Sequence, residues 1–220
     1  MSLPIFYGYY RSSAAYRVRI ALALKGIDYE TRVVKLTKGE QRSPDYLTLN
    51  PQGLVPALAI DGLLLAQTEA IVEYLDETRP EPPLLPREAR LRAEARRLAQ
   101  MIVADIHPIN NSRVLEYLRN RLGQNEESVR EWVGHWIVTG FAPLETILKT
   151  RASRFCHGDQ PGMADLCLIP QLYNARRFAV DLSAFPTLLD IERICLALPA
   201  FQAAHPDRQP DSPDFVKIPD

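Results

Sequence analysis

Arg11-Ser-Ser-Ala-Ala-Tyr-Arg-Val-Arg-Ile-Ala-Leu22 joins a short strand-like run, residues 3–7, to an apolar helical run that stops at Lys25-Gly26. Two hydroxyls therefore fall where a strand hands over to a helix N-terminus, with an arginine beside them. The first N–H groups of a helix have no internal partner, and with the positive end of the helix dipole they favour an anion. A thiolate, a carboxylate and a phosphate all qualify. A serine at this place can equally do no more than cap the helix. Taken alone, the stretch leaves both readings open.

Working outward, residues 29–34 are rich in β-branched side chains and read as a strand, and a polar segment follows at 37–49. Residues 54–60 and 63–65 flank an Asp61-Gly62 turn and read as a hairpin, and 68–78 read as a helix. That is a βαβ half, a hairpin and a closing helix. The run Arg79-Pro-Glu-Pro-Pro-Leu-Leu-Pro86 favours extended backbone and denies helix, so it reads as a linker. Beyond it strand signals vanish. Helical periodicity covers 87–106, 113–122, 129–148, 163–178 and 186–196, and the tail after His205 is proline-rich and expected to be irregular. The expected organisation is an α/β domain over 1–79, a linker over 80–86 and an all-helical domain over 87–220.

Composition narrows the function classes. Lys plus Arg is 26 against 27 for Asp plus Glu, so no net charge steers the chain toward nucleic acid or anionic membrane. The apolar runs are too short to span a bilayer, and the first eleven residues lack the pattern of a secretory leader. Cys156, Cys167 and Cys195 are widely spaced, giving neither a disulfide framework nor a zinc pattern. They read as small buried hydrophobes. A reduced cytoplasm and no metal site are the expectation.

Two further segments have ligand chemistry. In Asn50-Pro-Gln-Gly-Leu-Val-Pro56, proline cannot donate to a sheet ladder, so Pro56 belongs at a strand's first position, an edge or a bend. With a cis bond before Pro56, Val55 would turn its N–H and C=O toward an extended ligand. An ordinary edge proline is the alternative. Gln67-Thr68-Glu69 opens a helix, where Thr68 can cap or can hold a carboxylate against the dipole.

These segments, with Asp105-Ile-His-Pro-Ile-Asn-Asn111, Arg154-Phe-Cys-His-Gly-Asp159 and Asn174-Ala-Arg-Arg-Phe178, resemble those of the zeta-class glutathione transferases, in particular their bacterial maleylacetoacetate isomerase branch. The likeness spans nearly the whole chain. It implies an α/β thioredoxin-like N-terminal domain followed by an all-α, substrate-side domain, in a homodimer with one glutathione site per subunit. Carried over residue by residue, Ser12 and Ser13 would meet the glutathione sulfur, and Val55 and Pro56 the cysteinyl unit. Gln67 and Thr68 would hold the γ-glutamyl end, and Gln41, His107 and Asn111 would also reach glutathione. Arg11 and Arg176 would meet an acidic substrate.

The activity so implied is glutathione-dependent isomerisation of maleylacetoacetate to fumarylacetoacetate in tyrosine and phenylalanine catabolism. Alternatives are maleylpyruvate isomerisation, general transfer of glutathione, and a non-enzymatic binding protein of the same fold. Five positions depart from the class. Ala14 stands where many animal members have cysteine, and Ser112 where some maleylpyruvate-directed relatives have arginine. Thr68-Glu69 replaces a commoner Ser-Leu, and Gly162 replaces a hydroxyl cap. For Arg176-Arg177 a solvated helix face is the competing reading. Trp132 and Trp136, four apart, are expected to pack a helix face, His107-Pro108 to mark a bend, and Arg90, Arg92, Arg96 and Arg97 to lie on a solvated face.

Overall fold

In the computed structural model, which describes residues 3–151 and 153–215, strand β1 (Ile5–Gly8) leads to helix α1 (Ser13–Leu24) and then to β2 (Glu30–Val33). Two short 3-10 turns precede helix α2 (Pro44–Leu49), and the hairpin β3 (Ala57–Ile60) and β4 (Leu63–Ala66) runs into α3 (Thr68–Thr78). The sheet order is β2-β1-β3-β4, with β1 parallel to β2 and the other two pairings antiparallel. This is the arrangement of a thioredoxin-like α/β unit, as expected.

Phe6 and Leu58 from the sheet, with Val18, Leu22, Ile71 and Leu75 from α1 and α3, form the core of this unit, each at most 1% exposed. Burying a side chain of that size is worth about 1.5–3 kcal/mol. Helix α1 ends where Gly26 takes φ +62°, with Ile27 N–H donating back to Leu22 O at 2.9 Å. Glycine reaches that conformation at no steric cost.

The remaining helices are α4 (Ala89–Val103), α5 (Ser112–Asn120), α6 (Glu126–Leu148), α7 (Met163–Arg177), α8 (Pro186–Leu196) and α9 (Pro199–Ala204). Contacts divide the chain into Met1–Leu84 with Ala197–Asp220, and Leu85–Leu196. The helical domain expected over 87–220 is thus corrected, because its last segment joins the α/β unit. Phe201 and Ala204 of α9 are buried, and Tyr16 and Arg19 of α1 hydrogen-bond to carbonyls of this segment. The irregular tail expected after His205 contains one 3-10 turn (Pro206–Arg208), and its residues 216–220 lie outside the described ones.

Within the helical unit α7 packs against α4 and α8 and is buried along most of its length. Gly162 is its N-cap. The buried Asp165 carboxylate accepts from Gly162 N–H and from Cys156 N–H, both at 2.9 Å. Half a capping box results, because glycine has no side chain to return the bond. Cys156, Cys167 and Cys195 are buried free thiols.

Trp132 and Trp136 stack edge to face at 5.7 Å and remain half-buried, with Trp132 Nε1 donating to Ile109 O at 3.0 Å. Pro108 opens the 3-10 turn Pro108–Asn110, so the chain bends there as expected. Arg90 and Arg97 are exposed and Arg92 and Arg96 half-buried.

Candidate functional site: one end of the sheet

Tyr7, Ala57 and Ala66 lie side by side in the ladder, Tyr7 opposite Ala57 and Ala57 opposite Ala66. Register therefore carries three connections to the same end of the sheet. The β1–α1 turn bears Arg11, Ser12 and Ser13, the approach to β3 bears Val55 and Pro56, and the β4–α3 junction bears Gln67 and Thr68. Helices α1 and α3 both begin there.

Ser12 is the N-cap of α1, and its Oγ accepts from Ala15 N–H at 3.1 Å. Its own N–H donates to Tyr9 O at 3.0 Å. The capping reading is correct, and it is compatible with the other. A serine oxygen accepts with a lone pair while its hydroxyl proton stays free to donate, so a capped Ser12 can still donate to an anion. No acidic side chain lies in the first turn of α1 to oppose a negative ligand. Ser13 is buried as the first helical residue, and Arg11 is half-buried. Ala14, at 9% exposure, leaves no thiol on this turn.

The peptide bond between Val55 and Pro56 is cis. Val55 is half-buried and precedes β3. The loop before it is held by Asn50 and Tyr46. Asn50 Nδ2 donates to Leu54 O at 2.8 Å, and Asn50 Oδ1 accepts from Gln52 N–H at 3.2 Å. Tyr46 of α2 adds a hydroxyl donated to Leu54 O at 2.7 Å. Burial pushes the Tyr46 hydroxyl up to about 12, so it remains a neutral donor. Gly53 takes φ +61°, and a Cβ there would stand 3.1 Å from Gln41 O. Only glycine lets these strands of backbone approach so closely.

Gln67 is the N-cap of α3 with φ +70°, a region that L side chains rarely occupy. The Gln67 side chain makes no capping bond, and Thr68 does not stand at the cap position; it is the first helical residue and is buried. Gln67 Nε2 donates to Gln52 Oε1 at 3.0 Å, linking the β4–α3 junction to the Val55 loop. Gln41 is buried, and its Oε1 has no hydrogen-bond partner among the described residues. A buried acceptor left without a donor costs about 1–3 kcal/mol, which a ligand N–H would recover. An anion at an uncapped helix end, a peptide backbone beside Val55 and a thiol at Ser12 are what glutathione would present. The residues fit that group.

The other candidates belong to the helical unit. His107 precedes the 3-10 turn and is half-buried. Asn111 caps α5, accepting from Arg113 N–H at 3.2 Å through Oδ1. Asn110, not singled out from the sequence, is buried with neither side-chain polar atom hydrogen-bonded among the described residues. Arg176 and Arg177 are both exposed, as the competing reading of a solvated helix end has it. Arg176 is nevertheless not a loose surface charge. Glu192 of α8 grips it bidentately, with Nη2 to Oε2 at 2.6 Å. Arg177 donates to Asn174 Oδ1 at 3.2 Å and lies over the Phe178 ring. Glu192 was invisible to sequence reasoning, since nothing in a single sequence marks a partner sixteen residues away on another helix.

Residues 4–77 match the glutathione S-transferase N-terminal domain family. The chain is 50% identical over 210 residues to maleylacetoacetate isomerase of Pseudomonas aeruginosa strain PAO1, covering 94% of this chain and 98% of that one. Among solved structures, maleylacetoacetate isomerase of Methylobacterium extorquens AM1 with bound malonate and glutathione is similar at a TM-score of 0.92 and 47% identity, over 95% and 99% of the two chains. The holo structure of a maleylpyruvate isomerase, described as a bacterial zeta-class glutathione transferase, is similar at a TM-score of 0.93 and 44% identity, over 94% and 99%. The chain belongs to the glutathione S-transferase family, in its zeta class.

Proposed function

We propose that this protein is a maleylacetoacetate isomerase that uses glutathione to convert the cis keto-acid into fumarylacetoacetate. The observation that carries the reading is the register of Tyr7, Ala57 and Ala66, which gathers the Ser12 cap, the Val55 loop and the Gln67–Thr68 helix start at one end of the sheet. Cis–trans isomerisation needs a temporary single bond, and therefore a nucleophile. Bound glutathione supplies that nucleophile as its thiolate. The protein supplies none of its own here: Ala14 occupies the turn, and burial pushes the thiols of Cys156 and Cys195 upward, away from the thiolate form.

The protein's own residues bind and tune. Gln67 and Thr68 hold the γ-glutamyl end at the start of α3, where the side chain of the N-cap Gln67 makes no capping bond of its own. Val55 offers its backbone to the cysteinyl unit, Gln41 its buried side-chain oxygen, and His107 and Asn111 further polar contacts. Ser12 donates its hydroxyl to the sulfur, and the positive end of α1 lowers the thiol's proton affinity. Ser13 adds a second hydroxyl in the same turn. Arg11 and Arg176 are assigned to the substrate carboxylates and to charge developing on the enolate oxygen, for which a rigid fork of donors is suited.

The same reading makes the protein a homodimer acting in the cytoplasm on a small dicarboxylate keto-acid; among the described residues no helix is long and apolar enough to cross a membrane. Maleylpyruvate is the second substrate to consider, because a maleylpyruvate isomerase is among the similar structures. The test is turnover of both compounds with and without glutathione. The proposal requires that product form only when glutathione is present, with maleylacetoacetate the better substrate.

A further inference from the structure

Arg19 is a charged side chain in the middle of an apolar helix, and it is 2% exposed. A buried guanidinium is costly unless its donors are satisfied. Here the fork ends on three carbonyls. Nε donates to Ala204 O at 3.0 Å, Nη2 to Tyr10 O at 3.0 Å and Nη1 to Tyr9 O at 3.4 Å. Its Cζ lies 5.4 Å from the centroid of the Tyr16 ring. Tyr9 O is also the acceptor of the Ser12 N–H at 3.0 Å. The guanidinium therefore grips the turn at the carbonyl that closes it onto Ser12.

The same turn is held a second time from the C-terminal segment. Asp211 Oδ2 accepts from Tyr10 N–H at 2.9 Å, so Tyr10 is fixed at both its N–H and its C=O. Asp211 is itself placed by a hydrogen-bonded run. Buried Gln209 donates through Nε2 to Ala203 O at 3.0 Å and His205 O at 2.9 Å, and its own carbonyl accepts from Ser212 N–H at 2.9 Å. Residues separated by two hundred positions thus meet on the four-residue turn that ends in Ser12.

We propose that Arg19 and Asp211 are positioning residues for the thiolate-holding start of α1, the C-terminal segment acting as a strap that sets the Ser12 hydroxyl and the first-turn amides. This rests on the assignment of Ser12 to the glutathione sulfur. Both residues are assigned here to backbone groups and not to a ligand. Their effect passes through the backbone of Tyr9 and Tyr10, where a misplacement of about 1 Å at a reacting group can cost up to a hundredfold in rate.

The test compares wild type with Ser12→Ala, Arg19→Lys, Asp211→Asn and Asp211→Ala. Glutathione is bound to each, and its thiolate absorbance is titrated against pH, alongside turnover and a thermal melt. Asp211→Ala and Arg19→Lys are expected to move the bound thiol's titration to higher pH and to lower kcat about tenfold, with a smaller change in KM for glutathione. Asp211→Asn keeps an acceptor for Tyr10 N–H and is expected to stay near wild type. If Asp211→Ala is folded and titrates like wild type while Ser12→Ala is shifted, the strap is only structural and the inference is overturned. Should Arg19→Lys fail to fold, Asp211→Ala decides alone. Wild-type titration in Ser12→Ala would overturn the Ser12 assignment and the strap with it.

Discussion

Arg176 and Glu192 face each other end-on across α7 and α8, with the Glu192 side chain 8% exposed and that of Arg176 49% exposed. A half-exposed arginine is thereby aimed by a buried carboxylate, and only part of its donor set is used. Glu192→Gln keeps the shape of the partner and removes its charge. Stability is expected to fall by about 1–2 kcal/mol. KM for the dicarboxylate is expected to rise severalfold as Arg176 loses its orientation, with a smaller change in kcat. Chemical denaturation and steady-state kinetics check both; an unchanged KM would detach Arg176 from the substrate.

The two serines of the α1 turn are expected to differ. Ser12 Oγ accepts the cap hydrogen bond from Ala15 N–H at 3.1 Å, so Ser12→Ala removes a cap and a donor together. Turnover is expected to fall roughly 10- to 1000-fold, the worth of one preorganised donor, and stability by about 1 kcal/mol. Ser13→Ala, inside the helix, is expected to cost far less in rate. Parallel kinetics of the two variants settle the assignment, and equal rates in both would defeat it.

A gain is expected at Gly162. It is the N-cap of α7 at φ −139°, a conformation open to any residue, and Asp165 already accepts from its N–H. Gly162→Ser would complete the box and stabilise the fold by a few tenths of a kcal/mol. A thermal melt reads this directly, and activity is expected to be untouched.

Much of the fold can be read from periodicity and punctuation. The Ala-rich run of α1 stopped by Gly26, the Asp61-Gly62 hairpin and the long helices after the prolines all state their structure locally. Helix α2 does not. It is six residues long, and its signal is only Ser43 capping and Pro44 at the first position, yet it delivers Tyr46 to the Val55 loop. Helix α9 is hidden likewise among prolines, and its place beside α1 depends on Arg19, whose partner Ala204 lies 185 positions away in the chain. Thr68 looked like a cap because the residue before it was a glutamine in a conformation that sequence rarely betrays. The site was legible as three separate ligand motifs. That they share an end of the sheet came from register, and the supports of the first motif, Arg19 and Asp211, like Glu192 behind Arg176, came only from contacts distant in the chain.

Substrate choice is expected to follow the arm of the keto-acid. Ser112 is the exposed first residue of α5, beside the Asn111 cap, and offers no charge to a short substrate. Maleylacetoacetate is expected to be preferred over maleylpyruvate by roughly ten- to a hundredfold in kcat/KM, the worth of one clamp contact. Ser112→Arg is expected to narrow the gap by raising activity on maleylpyruvate. Equal or reversed preference in wild type, with no gain in Ser112→Arg, would contradict this.

The central claim is that glutathione contributes the only sulfur and is not used up. Cys156, Cys167 and Cys195 are all buried in the helical unit, so a variant with alanine at all three is expected to lose stability through packing and to keep its chemistry. The most direct measurement follows maleylacetoacetate, fumarylacetoacetate and free glutathione together in that cysteine-free variant, first with and then without added glutathione. The account predicts many turnovers per glutathione with its concentration constant, and none once it is removed. Product formed without any thiol, or one glutathione consumed per product, would contradict it.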